Sequence, residues 1–288
     1  MLTRGTDTGR EYRADMRYGV SVPNIGDARS LLELGVVAED AGWDGFFLWD
    51  HIRFSAEFPV PVFDPWVVLG ALAAQTSRII LGPMVTPVAR RRPWKLARET
   101  VTLDHLSSGR TVLGVGLGFP PDAEFEMLGE DPDPLVRGQK LDEGLELLER
   151  FWSEERFDHH GRHYRIDSGE FHPGPLQRPR IPVWVAGMWP NRSPFRRAAR
   201  WDGVYPIGVD VDGQPVLIEP AGLEEVVAFT REHRADPDAP FDVVVSGDVD
   251  VAPTEYEHAG ATWWLLSDDG DEGWPGRIHE RLAAGPPR

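Results

Sequence analysis

"RIILGPMVTPVARRRPWKLARETVTLDHLSSGRTVLGVGLG", residues 78–118, decides the fold. Residues 78–81 (RIIL) read as a strand, because β-branched side chains favour a pleated, half-buried surface. Pro83 and Pro87 follow within five residues, and a proline pair cannot continue a regular ladder, so the chain must kink there. Residues 94–106 read as a helix, closed by Ser-Ser-Gly at 107–109. Residues 110–115 (RTVLGV) are a second strand. Strand, helix and strand in succession point to a parallel sheet.

The same alternation extends outward in both directions. Upstream, Arg17–Val22 is a strand. Residues 28–41 are a helix ending at Gly42, residues 44–49 a second strand, and residues 65–75 the next helix. Downstream the rhythm breaks. Residues 135–152 form a helix with Leu141, Leu145, Leu147, Leu148 and Phe151 on one stripe. Residues 157–166 form a small hairpin, and residues 172–182 a proline-rich loop. The alternation then resumes, with strands at 182–185, 203–206, 241–246 and 261–266. Helices fall at 192–200, 223–234, 254–258 (very short) and 275–284. Eight strand–helix units favour a (β/α)8 TIM barrel of the α/β class; the doubly wound alternative lacks a Rossmann glycine fingerprint after the first strand. We expect a flexible polar tail at 1–15 and one domain over 16–288, with an insertion at about 119–181 after strand four. The stretch at 247–260 is short for a helix-bearing segment, so the barrel is expected to flatten or open there.

Composition narrows the function. Apolar residues make up 41% and charged residues 27% of the 288, ordinary values for a soluble protein with a sizeable core. A net charge of −17 opposes binding to phosphate backbones, so nucleic acid is not an expected partner. No apolar run spans a membrane, and the N-terminus is not a secretory signal, which together with the absence of cysteine fits a cytoplasmic protein. Lys95 and Lys140 are the only lysines among 30 basic residues, which we read as coding bias.

In a barrel of this kind the working face is at the C-terminal ends of the strands. That selects residues 23–24, 50–51, 83–87, 116–121, 186–190, 207 and 246–248. "FFLWDHI", residues 46–52, ends a buried run on Asp50 and His51, where His51 would exchange a proton near neutral pH. Pro83, Met84 and Thr86 form the kink. Gly114, Gly116 and Gly118 permit close backbone approach. Ala186, Gly187, Met188 and Trp189, at a strand end before a helix, suggest a phosphate cradle of backbone N–H groups. The "HHGRH" of 159–163 reads as a hairpin tip rather than a metal site, and "ARRR" of 89–92 as a solvated face that could also attract an anionic tail. Trp263 and Trp264 should face opposite sides of the last strand.

These segments together resemble the bacterial luciferase-like family of flavin- and deazaflavin-dependent oxidoreductases. The resemblance rests on the V-T-P of 85–87, the "TLDHLSSGR" of 102–110, the "LGVGLG" of 113–118, the "WDH" of 49–51 and residues 181–206. It implies the (β/α)8 barrel and a cofactor at its mouth, either coenzyme F-420 or FMN. It further implies that Asp50 and the kink at Pro83–Thr86 touch the ring, with a non-proline cis peptide at or next to 83–84. Ala186, Gly187, Met188 and Trp189 would hold the phosphate, with Gly116 nearby, and His51 would act at the reactive edge. Phe119 stands where sugar-phosphate dehydrogenases of the deazaflavin branch carry an acidic residue. With Phe54 and Trp189, it suggests a small apolar substrate. Hydride transfer and oxygen insertion both remain open, the latter with a separate reductase as partner. A non-catalytic flavin-binding protein of the same fold is the alternative, and a metal-dependent hydrolase is disfavoured. The family commonly forms homodimers.

Overall fold

The computed structural model describes residues 16–57, 59–247, 252–268, 270–271 and 273–287. The expected tail at 1–15 and the rim position Asp248 lie outside them. In chain order the elements begin with β1 (Arg17–Val22), α1 (Ala28–Asp40), β2 (Gly45–Leu48), α2 (Pro65–Ala73), β3 (Ile80–Pro83) and β4 (Thr86–Pro87). Next come α3 (Pro93–Leu106), β5 (Leu113–Gly116), α4 (Pro121–Glu124), α5 (Pro134–Trp152), β6 (Phe157–His160) and β7 (Arg165–Gly169). The chain continues with β8 (Val183–Met188), α6 (Arg192–Ala198), β9 (Gly203–Val209), β10 (Pro215–Val216) and α7 (Pro220–His233). It ends with β11 (Asp242–Gly247), α8 (Pro253–His258), β12 (Trp263–Ser267) and α9 (Trp274–Ala283).

The sheet runs β3-β2-β1-β12-β11-β9-β8-β5-β4, all neighbours parallel. β3 and β4 are the two halves of the kinked third strand, so the path closes on itself. The Leu81 N–H donates to the Arg110 carbonyl and the Val112 N–H to that of Leu81, both at 3.0 Å. Of the stretch 247–260 where an opening was expected, residues 248–251 lie outside the described ones; the strands that it joins, β11 and β12, pair from Val244 to Gly247. The closing α8 is merely short. β10, which the sequence did not announce, pairs antiparallel with β9.

Caps explain the helix starts. Asp27 accepts from Ser30 N–H at 2.9 Å and Asp64 from Val67 N–H at 3.0 Å, each satisfying a donor that the helix itself leaves orphaned. Two apolar layers follow from the strand period. Phe47, Met84, Val112, Trp184, Ala186, Tyr205, Val244, Trp263 and Leu265 fill the barrel interior. Trp264, Phe46, Val185 and Val245 face the helices instead. Trp263 and Trp264 thus divide between the two layers as alternation requires. Trp184 lies 5.3 Å from Trp263 and 5.4 Å from Phe47 between ring centroids. Burial of each such ring contributes roughly 2–3 kcal/mol. The lower barrel is a packed core, which leaves only the strand C-terminal end for a ligand.

The candidate site at the barrel mouth

The strand-three kink sets the floor. Its cis peptide is Met84–Val85, one bond beyond 83–84. The alternate glycines of β5 exist for this kink. A Cβ at Gly114 would stand 2.4 Å from the Pro83 carbonyl oxygen, and one at Gly116 would stand 2.7 Å from Val85 Cγ2. Met84 is buried in the inner layer, and Val85 and Ile207 pack against it partly exposed. By alternation from Trp184, both Ala186 and Met188 face the same interior.

Asp50 and His51 leave β2 onto this floor. His51 is held at its backbone by Asn24, which is fully buried. The Asn24 Oδ1 accepts the His51 N–H at 3.2 Å, and its Nδ2 donates to the His51 carbonyl at 2.9 Å. The His51 side chain is 18% exposed, and its Nδ1 lies 2.9 Å from Oε1 of Glu124. Glu124 also accepts from the backbone N–H of Ile52 and Arg53, each at 3.2 Å, and from Arg90 Nη1. A carboxylate only accepts, so the proton between them sits on His51 Nδ1, and Nε2 is the nitrogen left to act. Phe54 packs edge-on against His51 at 4.9 Å and stacks on Trp49 at 6.2 Å.

Asp50 is a supporting group rather than a wall of the mouth. Its carboxylate is buried and already accepts from Arg90 at 3.0 Å, Arg91 at 2.8 Å, Thr86 Oγ1 at 2.8 Å and Trp66 Nε1 at 3.2 Å. Burial pushes its carboxyl upward. The Arg91 and Arg90 guanidiniums, with the Thr86 hydroxyl, overcome that and hold it below the usual carboxylate range. Burial in turn lowers Arg90, and Asp50 and Glu124 oppose the effect. Two acids and two guanidiniums cancel, so the cluster satisfies its own charge. Of the "ARRR" run only Arg92 is solvent-exposed. Arg90 and Arg91 are drawn inward by buried acids that sequence reading did not connect to them.

The residues expected to cradle a phosphate sit at the C-terminal end of a strand. Ala186, Gly187 and Met188 remain in β8, in register with β9 as far as Ile207, and the Trp189 N–H donates to the Ile207 carbonyl at 2.9 Å. Trp189 turns outward, with Nε1 on Glu225 at 3.1 Å and its ring against Phe195. Gly187 serves helix packing, since a Cβ there would lie 2.2 Å from Pro194 Cβ. Phe119 is 39% exposed, on the loop leaving β5. The acid absent at 119 enters five residues later as Glu124. No local signal singled it out, because Glu124 lies among Asp122, Glu126 and Glu130.

The hairpin histidines serve structure. His159 Nε2 lies 2.9 Å from Glu143, which also accepts from His163 N–H and Tyr164 N–H. No metal-binding group of three or more His, Asp or Glu occurs among the described residues. No described helix is long and apolar enough to cross a membrane. A surface recess of about 750 Å³ between α7 and α8 lies on the helical layer, away from the C-terminal ends of the strands.

Comparison with known proteins agrees with this architecture. A family profile described as luciferase-like monooxygenase matches residues 10–268. An F-420-dependent glucose-6-phosphate dehydrogenase of Nakamurella multipartita is 33% identical over 299 residues, covering 88% of this chain and 84% of its own. One from Microbacterium testaceum is 31% identical over 219 residues, covering 75% of this chain; the match spans only 63% of that relative. Among solved structures, an F-420-dependent secondary alcohol dehydrogenase with an F-420–acetone adduct superposes with a TM-score of 0.76 at 17% identity. It covers 95% of this chain and 100% of its own. Solved neighbours also include an FMN complex, the oxygenating constituent of a Pseudomonas putida diketocamphane monooxygenase.

Proposed function

Since the chain belongs to the luciferase-like monooxygenase family, a family of oxidoreductases, we propose that it binds coenzyme F-420 at the barrel mouth and exchanges a hydride with a small, uncharged, largely apolar substrate. The observation that carries the reading is His51, fixed by Glu124 and Asn24 so that Nε2 is its acting nitrogen above an apolar floor. The residues present fit a flat ring. Met84, Val85, Ala186 and Ile207 supply an apolar bed, and Trp49 and Phe54 supply aromatic walls. A bound deazaflavin supplies a two-electron hydride donor or acceptor; reduced FMN would instead supply oxygen chemistry.

The protein's part is orientation and proton management. His51 Nε2 takes a proton from a substrate hydroxyl or returns one to a carbonyl oxygen. Glu124 stabilises the imidazolium formed when Nε2 takes up that proton. Asp50 positions Arg90, which in turn positions Glu124. The buried cations nearest His51 are already paired. Arg90 and Arg91 are spent on Asp50 and Glu124, and buried Arg137 donates to the Leu117 and Gly118 carbonyls. That favours a neutral substrate over a sugar phosphate.

The test titrates the protein with F-420, FMN and reduced FMN, following quenching lost in Trp49→Phe, then measures turnover of neutral secondary alcohols and ketones. F-420 binding with turnover falling about 10²–10⁴-fold in His51→Gln is the expected result. Preference for reduced FMN would reassign the chemistry to oxygen insertion with a reductase partner. Cofactor binding with no turnover would favour the non-catalytic reading.

A further inference from the structure

The mouth has two unlike halves. The inner wall above the packed core is apolar or glycine along β3, β5 and β8, at Met84, Val85, Gly116 and Ala186. Along the other strands it carries hydroxyls. Tyr205 of β9 hydrogen-bonds Ser246 of β11 at 2.6 Å, and Ser246 hydrogen-bonds Ser267 of β12 at 2.9 Å. Ser267 is the register partner of Ser21 on β1, and Ser21 accepts from Trp49 Nε1 at 3.1 Å. These strands are consecutive in the sheet, β2-β1-β12-β11-β9, so a polar arc runs from Trp49 beside His51 halfway round the barrel.

Filling space does not require this arc. The layer beneath it on the same strands is Phe47, Trp263, Leu265 and Val244, all buried and apolar. Buried hydroxyls cost stability unless bonded, and apolar side chains of similar size would fill the same wall without that demand. The two bonds use two of the three hydroxyl protons, and with Tyr205 donating to Ser246 and Ser246 to Ser267 the third, on Ser267, is the one offered to a ligand oxygen. β9 is four strands from β2 in the closed ring, on the far side of the mouth from His51.

We propose that the Tyr205–Ser246–Ser267 chain is a second polar subsite, which donates a hydrogen bond to a carbonyl-type oxygen of the ligand across the mouth from His51. The inference rests on the reading of the mouth as a cofactor site. That oxygen comes either from the dione end of a flavin-type ring or from the substrate. Tyr205→Phe and Ser246→Ala remove hydroxyls with little change in volume. The dissociation constants of F-420 and FMN are measured for each variant, and then that of acetophenone for the cofactor-loaded protein.

Loss of one hydrogen bond predicts roughly three- to tenfold weaker binding of the partner that owns the oxygen. Weaker cofactor binding assigns the ring, and weaker acetophenone binding with unchanged cofactor assigns the substrate. Ser246→Thr, which keeps a hydroxyl, should bind as the parent does. If it loses as much as Ser246→Ala, the effect is packing and the proposal falls. If the parent binds a cofactor and neither variant alters either affinity, the subsite is overturned while the cofactor site stands. If the parent binds neither F-420 nor FMN, the reading of the mouth fails and the subsite goes with it.

Discussion

The two ends of the barrel bury carboxylates by different means. At the base, Glu39 accepts from the backbone N–H groups of Ser77, Arg78 and Ile79 at 2.7–3.0 Å. Asp104 there accepts from Leu176 N–H at 2.7 Å, Gln177 N–H at 3.2 Å and Gln177 Nε2 at 2.7 Å. At the mouth, Asp50 takes no backbone donor among the bonds found, and is held by Arg90, Arg91, Thr86 and Trp66. Glu124 mixes Arg90 and His51 with two backbone N–H groups. A carboxylate on backbone amides staples a loop and stops there. One on guanidiniums and an imidazole passes its charge on to groups that can act.

The largest expected effect breaks the mouth. Asp50→Asn strips the main counterion from two buried guanidiniums and should cost about 3–5 kcal/mol by urea denaturation. A loss under about 1 kcal/mol would mean the cluster relaxes to solvent. Glu39→Gln at the base should cost about 2 kcal/mol, because one amide oxygen replaces a carboxylate on three N–H donors. The Glu39 pKa is depressed: burial raises it, but the N–H groups of Ile79, Arg78 and Ser77 outweigh that. Its stabilisation is therefore complete above the unfolded carboxyl pKa and lost as pH falls through the lower folded value. The gap between parent and Glu39→Gln should close in acid, and a gap that widened would contradict the assignment.

Smaller effects sharpen the contrast. Glu124→Gln lets an amide meet His51 Nδ1 and frees the imidazole to adopt the wrong tautomer. Turnover should fall about 10–100-fold while cofactor affinity stays within a factor of two. The corresponding base variant, Asp104→Asn, should leave turnover per folded molecule unchanged. Gly187→Ala should destabilise by about 1–3 kcal/mol through overpacking against Pro194, with cofactor affinity intact. If affinity collapsed instead with stability preserved, the result would support the cradle reading of 186–189.

Much of the architecture was legible because strands and helices write local periods into the chain. Residues 17–22 match β1 to the residue, and the proline pair at 83 and 87 foretold the break between β3 and β4. In the site, Asp50–His51 stood out as a polar pair ending an apolar run. What stayed hidden is long-range. Glu124 meets His51 across 73 residues and Arg90 across 34, and no local pattern encodes such pairings. Gly187 is ambiguous for another reason: a glycine at a strand end suits a close helix as well as a close phosphate.

An apolar bed at Met84, Val85 and Ala186 on one side and the open end of the barrel on the other make the two faces of a flat ring inequivalent, and the hydroxyl arc makes its edges so. On the proposed reading, a bound flat ring would take one orientation there, one face against the apolar bed and the other toward incoming substrate. The barrel mouth would thus act as a stereochemical template. Deuterium carried to the ring from a labelled alcohol would arrive on a single face, and the protein would return that same deuterium, rather than the hydrogen, in the reverse direction.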